Sequence, residues 1–224
     1  PAKLLLTVSV KGTDYANDWD FWVYPPKVET AAAQDILVTD ELNEETLSAL
    51  GKGGKVLLIP ASGTVVGDEH GTVPPGFTSI FWNTAWTRGQ APHTLGILCN
   101  PAHPALQDFP TEFHSNWQWW ELIHTSQVMI LNDMPATLRP IVQVIDDWVT
   151  NRPLALIFEA NAGKGKIIVS GIDLITDADE RPEARQLIYS LRRYMTGNSF
   201  EPSESIEIEK FKSLLKQASL ILLN

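Results

Sequence analysis

The stretch FHSNWQWWEL places three tryptophans within four residues, next to imidazole and amide side chains. Aromatic rings offer flat apolar faces to sugar C–H groups, and amides hydrogen-bond hydroxyl groups. The same residue types also build a well-packed core or a contact between domains. Three interpretations therefore stay open: core packing, contact with another domain or subunit, and sugar binding. The candidate ligand-binding residues are Trp82, Trp86, His114, Trp117, Trp119 and Trp120.

The spacing within this stretch predicts that a helix begins there. Ser115 is a favourable N-cap, and a glutamine follows three residues later, as in a capping box. Trp117, Trp120 and His124 would then share one face of the helix, while Trp119 would point elsewhere. We therefore expect Trp117 and Trp120 to be mostly buried against a sheet and Trp119 to be more exposed.

Cys99 is the only cysteine, which excludes an internal disulfide and a cysteine-based zinc site. A nucleophile elbow needs small residues on both sides of the nucleophile. The local sequence GILCNP displaces the glycine and continues with Pro101 instead of a helix. We therefore assign no catalytic residue.

Other ligand-binding motifs are also missing. The segments GKGGK (51–55) and GKGK (163–166) do not fit a phosphate loop. The acidic segment DLITDADE (173–180) lacks the glycine of a calcium loop, and no histidine pair has zinc-binding spacing. No cofactor and no metal is expected. Paired carboxylates of a glycosidase are possible, but no spacing singles out any of Asp133, Asp146, Asp147 and Glu159.

Composition limits the possible partners. The 224 residues carry a formal net charge of −10, and no basic stripe is present, which argues against nucleic-acid binding. No apolar run approaches the roughly 18–20 residues of a membrane span. No signal peptide is visible at the N-terminus.

Apolar runs and helix caps predict an α/β fold. DILVTD (35–40), KVLLIP (55–60), TLGILC (94–99) and KIIVSG (166–171) are expected to form a mainly parallel sheet flanked by helices on both faces. The turn NAGKG predicts that LALIFEA (154–160) forms a hairpin with KIIVSG at one side of this sheet. Helices are predicted over 43–54, 181–195 and about 203–217.

The expected domain organisation has three parts. Residues 1–26 have the pattern of the tail of a preceding β-sandwich and a linker, because two strands cannot form a stable sheet alone. Residues 27–200 form the α/β accessory domain, and residues 201–224 form a C-terminal helical extension.

The motif order resembles a known enzyme family. NDWDFWVYP (17–25), FPTEFHSNWQWW (109–120) and ALIFEANAGKGKIIVSGIDL (155–174) are similar to the C-terminal region of bacterial glycoside hydrolase family 2 enzymes of the β-galactosidase and β-glucuronidase type. The resemblance implies a modular parent whose (β/α)8 barrel carries both catalytic glutamates, and this chain has no such barrel. It also implies a flavodoxin-like or class I glutamine amidotransferase-like fold, without the Cys-His-Glu triad of those enzymes.

The expected function is therefore a non-catalytic C-terminal accessory domain of a carbohydrate-degrading glycoside hydrolase, which supports domain or subunit packing. The alternatives are a carbohydrate-binding module that uses the tryptophan cluster, and a divergent amidotransferase-like enzyme. The expected partners are other domains of the parent enzyme, with a homo-oligomer and glycans as further alternatives. The resemblance implies a periplasmic or extracellular parent protein.

Overall fold

The computed structural model describes residues 1–28, 35–76 and 94–216. The strands are β1 (Ala2–Ser9), β2 (Ala16–Val23), β3 (Ile36–Thr39), β4 (Lys55–Leu58), β5 (Thr94–Cys99), β6 (Met129–Ile130), β7 (Val142–Asp146), β8 (Leu154–Ala162) and β9 (Gly165–Ser170). The α-helices are α1 (Glu44–Gly51), α2 (Trp120–His124), α3 (Pro182–Thr196) and α4 (Ile208–Ser213). Two 3-10 turns cover Pro104–Leu106 and Trp117–Trp119.

The main sheet is mixed, so the expected mainly parallel α/β fold is wrong. Its strand order is β3-β4-β9-β8-β7-β5, with β6 paired to β8. Only β3, β4 and β9 pair in parallel, whereas β8, β7 and β5 each pair antiparallel to their neighbours. TLGILC, which is β5, lies at the antiparallel edge instead of in a parallel core. The flavodoxin-like and amidotransferase-like assignment fails with it, because that architecture needs a helical crossover between successive parallel strands.

Few helices cover this sheet. Within the described ranges, α3 is the one helix longer than eight residues, and its apolar side packs against the sheet. The helix expected over about 203–217 is confined to α4. The backbone before α4 is extended because the Ile206 N–H donates to the Asn161 carbonyl at the edge of β8. No described helix has the length and apolarity to cross a membrane.

The predicted pairing of LALIFEA with KIIVSG is confirmed. β8 and β9 pair antiparallel from Ile157–Ser170 to Ala162–Gly165, and Gly163 in the turn has φ of 60°. The hairpin is central in the sheet instead of at one side. Residues Leu154–Phe158 are continuously buried because both faces of the sheet are covered.

Two apolar clusters lie on opposite faces of the sheet. One contains Trp119 and Phe109 together with the apolar side of α3. The other contains Leu50 of α1 and Phe211 of α4, whose ring stacks on Phe158. The main sheet with these two clusters therefore has a complete core of its own.

Strands β1 and β2 form a separate two-stranded ribbon. Tyr24, just after β2, stacks on Phe109 and its hydroxyl accepts a hydrogen bond from Gln118. Lys3 forms ion pairs with Asp20 within the ribbon and with Glu112 of the main domain. These contacts attach one face of the ribbon to the main domain.

Candidate functional site

The tryptophan cluster begins with a 3-10 turn, and this reverses the expected burial. Asn116, not Ser115, is the N-cap, and its side chain accepts a hydrogen bond from the Gln118 N–H at 3.0 Å. Trp119 is fully buried, and its indole N–H donates to the Thr111 hydroxyl at 2.7 Å. Trp117 is 64% exposed. The shift arises because a cap one residue later and a turn of three residues change which side chain points inward.

The exposed tryptophans form part of a row of aromatic rings. Trp117 and Trp120 have ring centroids 5.3 Å apart, and Trp120 and His124 have ring centroids 4.2 Å apart. The Trp120 ring is 43% exposed. His124 Nδ1 lies 2.6 Å from the Trp120 carbonyl oxygen, which can only accept, so Nδ1 carries the proton and Nε2 is left for other partners. We call Trp117, Trp120 and His124 the aromatic row.

The aromatic row ends at a crevice above the carboxyl ends of the parallel strands. The crevice has a volume of about 470 Å³. Its lining is contributed by the segments that follow β3, β4, α2 and β9. The lining residues are Asp40, Ile59, Pro60, Ala61, Ser62, His124, Thr125, Ser126, Gln127, Asp173, Ile175 and Thr176. In the parallel part of this mixed sheet, the cavity lies at the carboxyl ends of the strands, which is also where ligand sites lie in open parallel sheets.

Asp173 gives this crevice a fixed negative charge. Its carboxylate accepts hydrogen bonds from the Ile175 and Thr176 N–H groups, both at 3.0 Å. Partial burial raises the pKa of Asp173, but these hydrogen bonds and the charge of Arg181 outweigh it, so the net pKa lies below its usual value. Arg181 pairs through two of its nitrogens with the Glu121 carboxylate and also lies 3.9 Å from the Asp173 carboxylate. Asp173 is therefore an ionised hydrogen-bond acceptor at neutral pH.

Among the other candidate ligand residues that the structure describes, His114 and Trp119 do not line this crevice. His114 forms an isolated β-bridge with Leu98 of β5, and its ring centroid lies 4.7 Å from that of Phe113. Trp119 belongs to the core. Trp82 and Trp86 lie outside the described residues, as does His93.

Cys99 has the geometry of a structural thiol. It is buried and its Sγ donates to the Glu112 carbonyl oxygen at 3.3 Å. Burial raises the pKa of the thiol to about 11 despite a hydrogen bond to Thr111. His103 near it in sequence instead caps the turn at Pro104–Leu106. This environment gives no thiolate nucleophile at neutral pH.

The carboxylates considered as a glycosidase pair mostly have structural partners. Asp146 pairs with Arg152 through two side-chain hydrogen bonds, and Asp147 caps the turn at Val149 and Thr150. Glu159 accepts a hydrogen bond from a tyrosine hydroxyl, and Asp133 lies at an exposed position. Among the described residues, no group of three metal-ligating side chains is present.

The ribbon presents a second feature of functional interest. The register of β1 with β2 places apolar side chains on the side that does not contact the main domain. All of them are exposed. We call this surface the ribbon face; it consists of Ala2, Leu4, Leu6, Val8, Trp19, Phe21 and Val23. On the other side, Leu5 and Thr7 stand opposite Asp20 and Asp18.

Sequence reasoning missed the acidic residues of the crevice. Asp40 and Asp173 both follow apolar runs that prove to be parallel strands, β3 and β9. The carboxyl ends of parallel strands meet at one edge of a sheet, so the position of Asp40 directly after β3 and of Asp173 three residues after β9 was an available signal. From the sequence alone, Asp173 is considered only within the acidic segment 173–180, as a calcium loop, and Asp40 only as the end of an apolar run.

Residues 1–25, which include the ribbon, match the family model described as Domain of unknown function (DUF8488). Residues 37–216 match a second model, described as Domain of unknown function (DUF8487). No curated protein matches the chain. Because the second match covers well over half of the sequence, the chain belongs to the DUF8487 family.

Proposed function

We propose that this chain is a non-catalytic accessory domain of a carbohydrate-degrading glycoside hydrolase, and that it packs against another domain of that enzyme through the ribbon face. The observation that carries the packing role is the ribbon face itself. A two-stranded sheet is marginal on its own in water, and contiguous apolar patches of this kind mark interaction surfaces.

The shape of the ribbon face favours the apolar face of another β-sheet as its partner. The ribbon face is apolar along both strands, as in one layer of a sandwich, whereas the other side carries Lys3, Thr7, Asp18 and Asp20 together with Leu5 and Trp22. Lys3 and Tyr24 attach the opposite side to the main domain, so the apolar side is directed outward. The match of the ribbon and of the main sheet to two different family models supports a role for the ribbon at a domain boundary.

The glycoside hydrolase parent is supported by the resemblance of the motifs, above all FPTEFHSNWQWW. In the structure this motif contributes core residues, including Phe109, Gln118 and Trp119. The non-catalytic role is supported by the protonated Cys99 thiol and by the structural partners of Asp146 and Asp147. The core position of these residues supports a role of the motif in the fold, in line with the proposed accessory domain.

The packing role is tested in the full-length protein with two matched substitutions. Leu6→Asp introduces a carboxylate on the ribbon face, and Leu5→Asp introduces the same carboxylate on the adjacent position of the same strand but on the other side. We expect Leu6→Asp to lower the melting temperature and to speed proteolysis between domains, because a buried unpaired charge is strongly destabilising. Equal effects of the two substitutions would show that the ribbon face does not pack against a neighbour.

The enzymatic assignment is tested separately with aryl glycosides. The full-length protein should hydrolyse at least one of them, and the isolated 224-residue chain should not. Turnover by the isolated chain that one carboxylate substitution removes would contradict the non-catalytic role. Absence of turnover by the full-length protein across glucosides, galactosides and glucuronides would contradict the glycoside hydrolase parent.

A further inference from the structure

We propose that the crevice at the carboxyl ends of β3, β4 and β9 binds a neutral oligosaccharide that also stacks along the aromatic row. The choice of ligand class rests on the proposed role in a carbohydrate-degrading enzyme. The site itself is defined by two independent features, a cavity of about 470 Å³ and a row of exposed rings that leads into it.

The strand connections explain why a crevice opens at this edge. The chain leaves β3 through α1, which packs Leu50 into the cluster on one face of the sheet. It leaves β9 towards α3, which packs Leu187 and Leu191 into the cluster on the opposite face. The end of β4 lies between these diverging connections, and such a divergence creates a ligand-binding crevice in open sheets.

His124 joins the aromatic row to the crevice. Its ring stacks against Trp120 and also lines the cavity. The hydrogen bond from Nδ1 to the Trp120 carbonyl fixes the orientation of the ring, so Nε2 can exchange a hydrogen bond with a hydroxyl group. An elongated ligand can thus contact ring faces along Trp117 and Trp120 and polar groups beyond His124.

The charges in the crevice select a neutral sugar over a uronic acid. Its lining contains the carboxylates of Asp40 and Asp173 and, within the described residues, no lysine or arginine. Carboxylates accept hydrogen bonds from sugar hydroxyls, whereas the carboxylate of a uronic acid would be repelled. The nearby Arg181 lies outside the lining and is already paired with two acids, the Glu121 carboxylate through two hydrogen bonds and the Asp173 carboxylate at 3.9 Å.

The test is calorimetric titration of the 224-residue chain with short neutral oligosaccharides of glucose, galactose, xylose and mannose, and with oligogalacturonate as the charged probe. We expect one neutral probe to bind more tightly than the uronate. Trp117→Ala should weaken that binding about tenfold or more, because a ring face is lost. Asp40→Asn should reduce the difference in affinity between the neutral probe and oligogalacturonate.

Trp19→Ala is the matched control, since Trp19 is an exposed tryptophan of the ribbon face. It should leave the affinity unchanged, and the melting temperature of Trp117→Ala should stay near that of the parent chain. Three outcomes would overturn the inference. The first is the absence of binding heat with every neutral probe at millimolar concentration. The others are equal affinities for oligogalacturonate and the neutral probes, or equal losses of affinity in Trp117→Ala and Trp19→Ala. None of them bears on the ribbon face, which Leu6→Asp tests at another place.

Discussion

At the scale of single residues, buried polar groups show which side chains serve the fold. Arg152 is largely buried and pairs with both Asp146 and Asp68. Two nitrogens of its guanidinium face the two oxygens of the Asp146 carboxylate, at 2.9 and 3.0 Å. Such two-bond pairs fix the relative orientation of the two side chains and also add stabilisation. The aspartate that sequence reasoning considered for catalysis is therefore committed to a structural ion pair.

Glu159 is the carboxylate whose environment makes the clearest prediction for pH. Burial raises its pKa, and the hydrogen bond from Tyr194 and the charge of Lys166 lower it only in part. A carboxyl group with a raised pKa in the folded state stabilises the fold fully below its unfolded pKa. That contribution is lost as the pH rises through the folded pKa.

Glu159→Gln removes this titration. The variant should gain stability relative to the parent chain when the pH is raised from about 4, near the ordinary pKa of a glutamate, to about 7, because only the parent chain carries this group. Urea unfolding at both pH values measures the difference, and Glu209→Gln, at an exposed helix position, corrects for the general loss of one carboxylate. A stability difference for Glu159→Gln that does not grow with pH would contradict the assignment.

At the scale of elements, the start of a helical turn decides which tryptophan is buried. The Asn116 cap and the 3-10 turn direct Trp119 inward, where it packs edge-on against Phe109 at 5.3 Å. The same turn directs Trp117 towards solvent. A shift of one residue in where the turn begins thus decides which tryptophan lies in the core and which lies at a candidate binding position.

Alanine substitutions distinguish these two positions. Trp119→Ala should destabilise the domain by about 3–5 kcal/mol, because it leaves a large cavity and removes the partner of the Thr111 hydroxyl. Trp117→Ala should cost less than about 1 kcal/mol, since its ring is mostly exposed. Chemical denaturation of both variants measures the difference. Similar losses would place both rings in the core.

At the scale of the whole molecule, the ribbon and the main sheet differ in what they bury. Neither apolar cluster of the main sheet contains a residue of β1 or β2. The ribbon instead exposes its apolar side, and it is attached through Lys3 and the segment around Tyr24. The main sheet is thus expected to fold without the ribbon.

A variant that lacks residues 1–22 but keeps Tyr24 tests this division. It should unfold cooperatively within a few degrees of the 224-residue chain, because its two clusters are intact. It should also bind less of an apolar dye such as ANS, since the ribbon face is gone. Loss of cooperative unfolding would show that the ribbon is part of the same folding unit.

The local signals in the sequence determined several elements directly. The helices predicted over 43–54 and 181–195 are present as α1 and α3; Asn43 caps α1, with its side chain accepting from the Thr46 N–H, and Pro182 begins α3. The turn around Gly163 determined the β8–β9 hairpin. These features depend on hydrogen bonds and backbone preferences among residues close in the chain, so nearby residue types suffice to predict them.

Tertiary structure alone decided strand direction, the phase of the tryptophan turn and the location of the crevice. The run TLGILC is equally apolar in a parallel or an antiparallel sheet, and its pairing with β7 settles its direction. Trp119 is buried because its ring packs against Phe109 and its indole N–H donates to the Thr111 hydroxyl. Asp40 and Asp173 line one cavity because β3, β4 and β9 align their carboxyl ends. Each of these outcomes depends on contacts with residues outside the run itself, and residue spacing within one run does not specify those contacts.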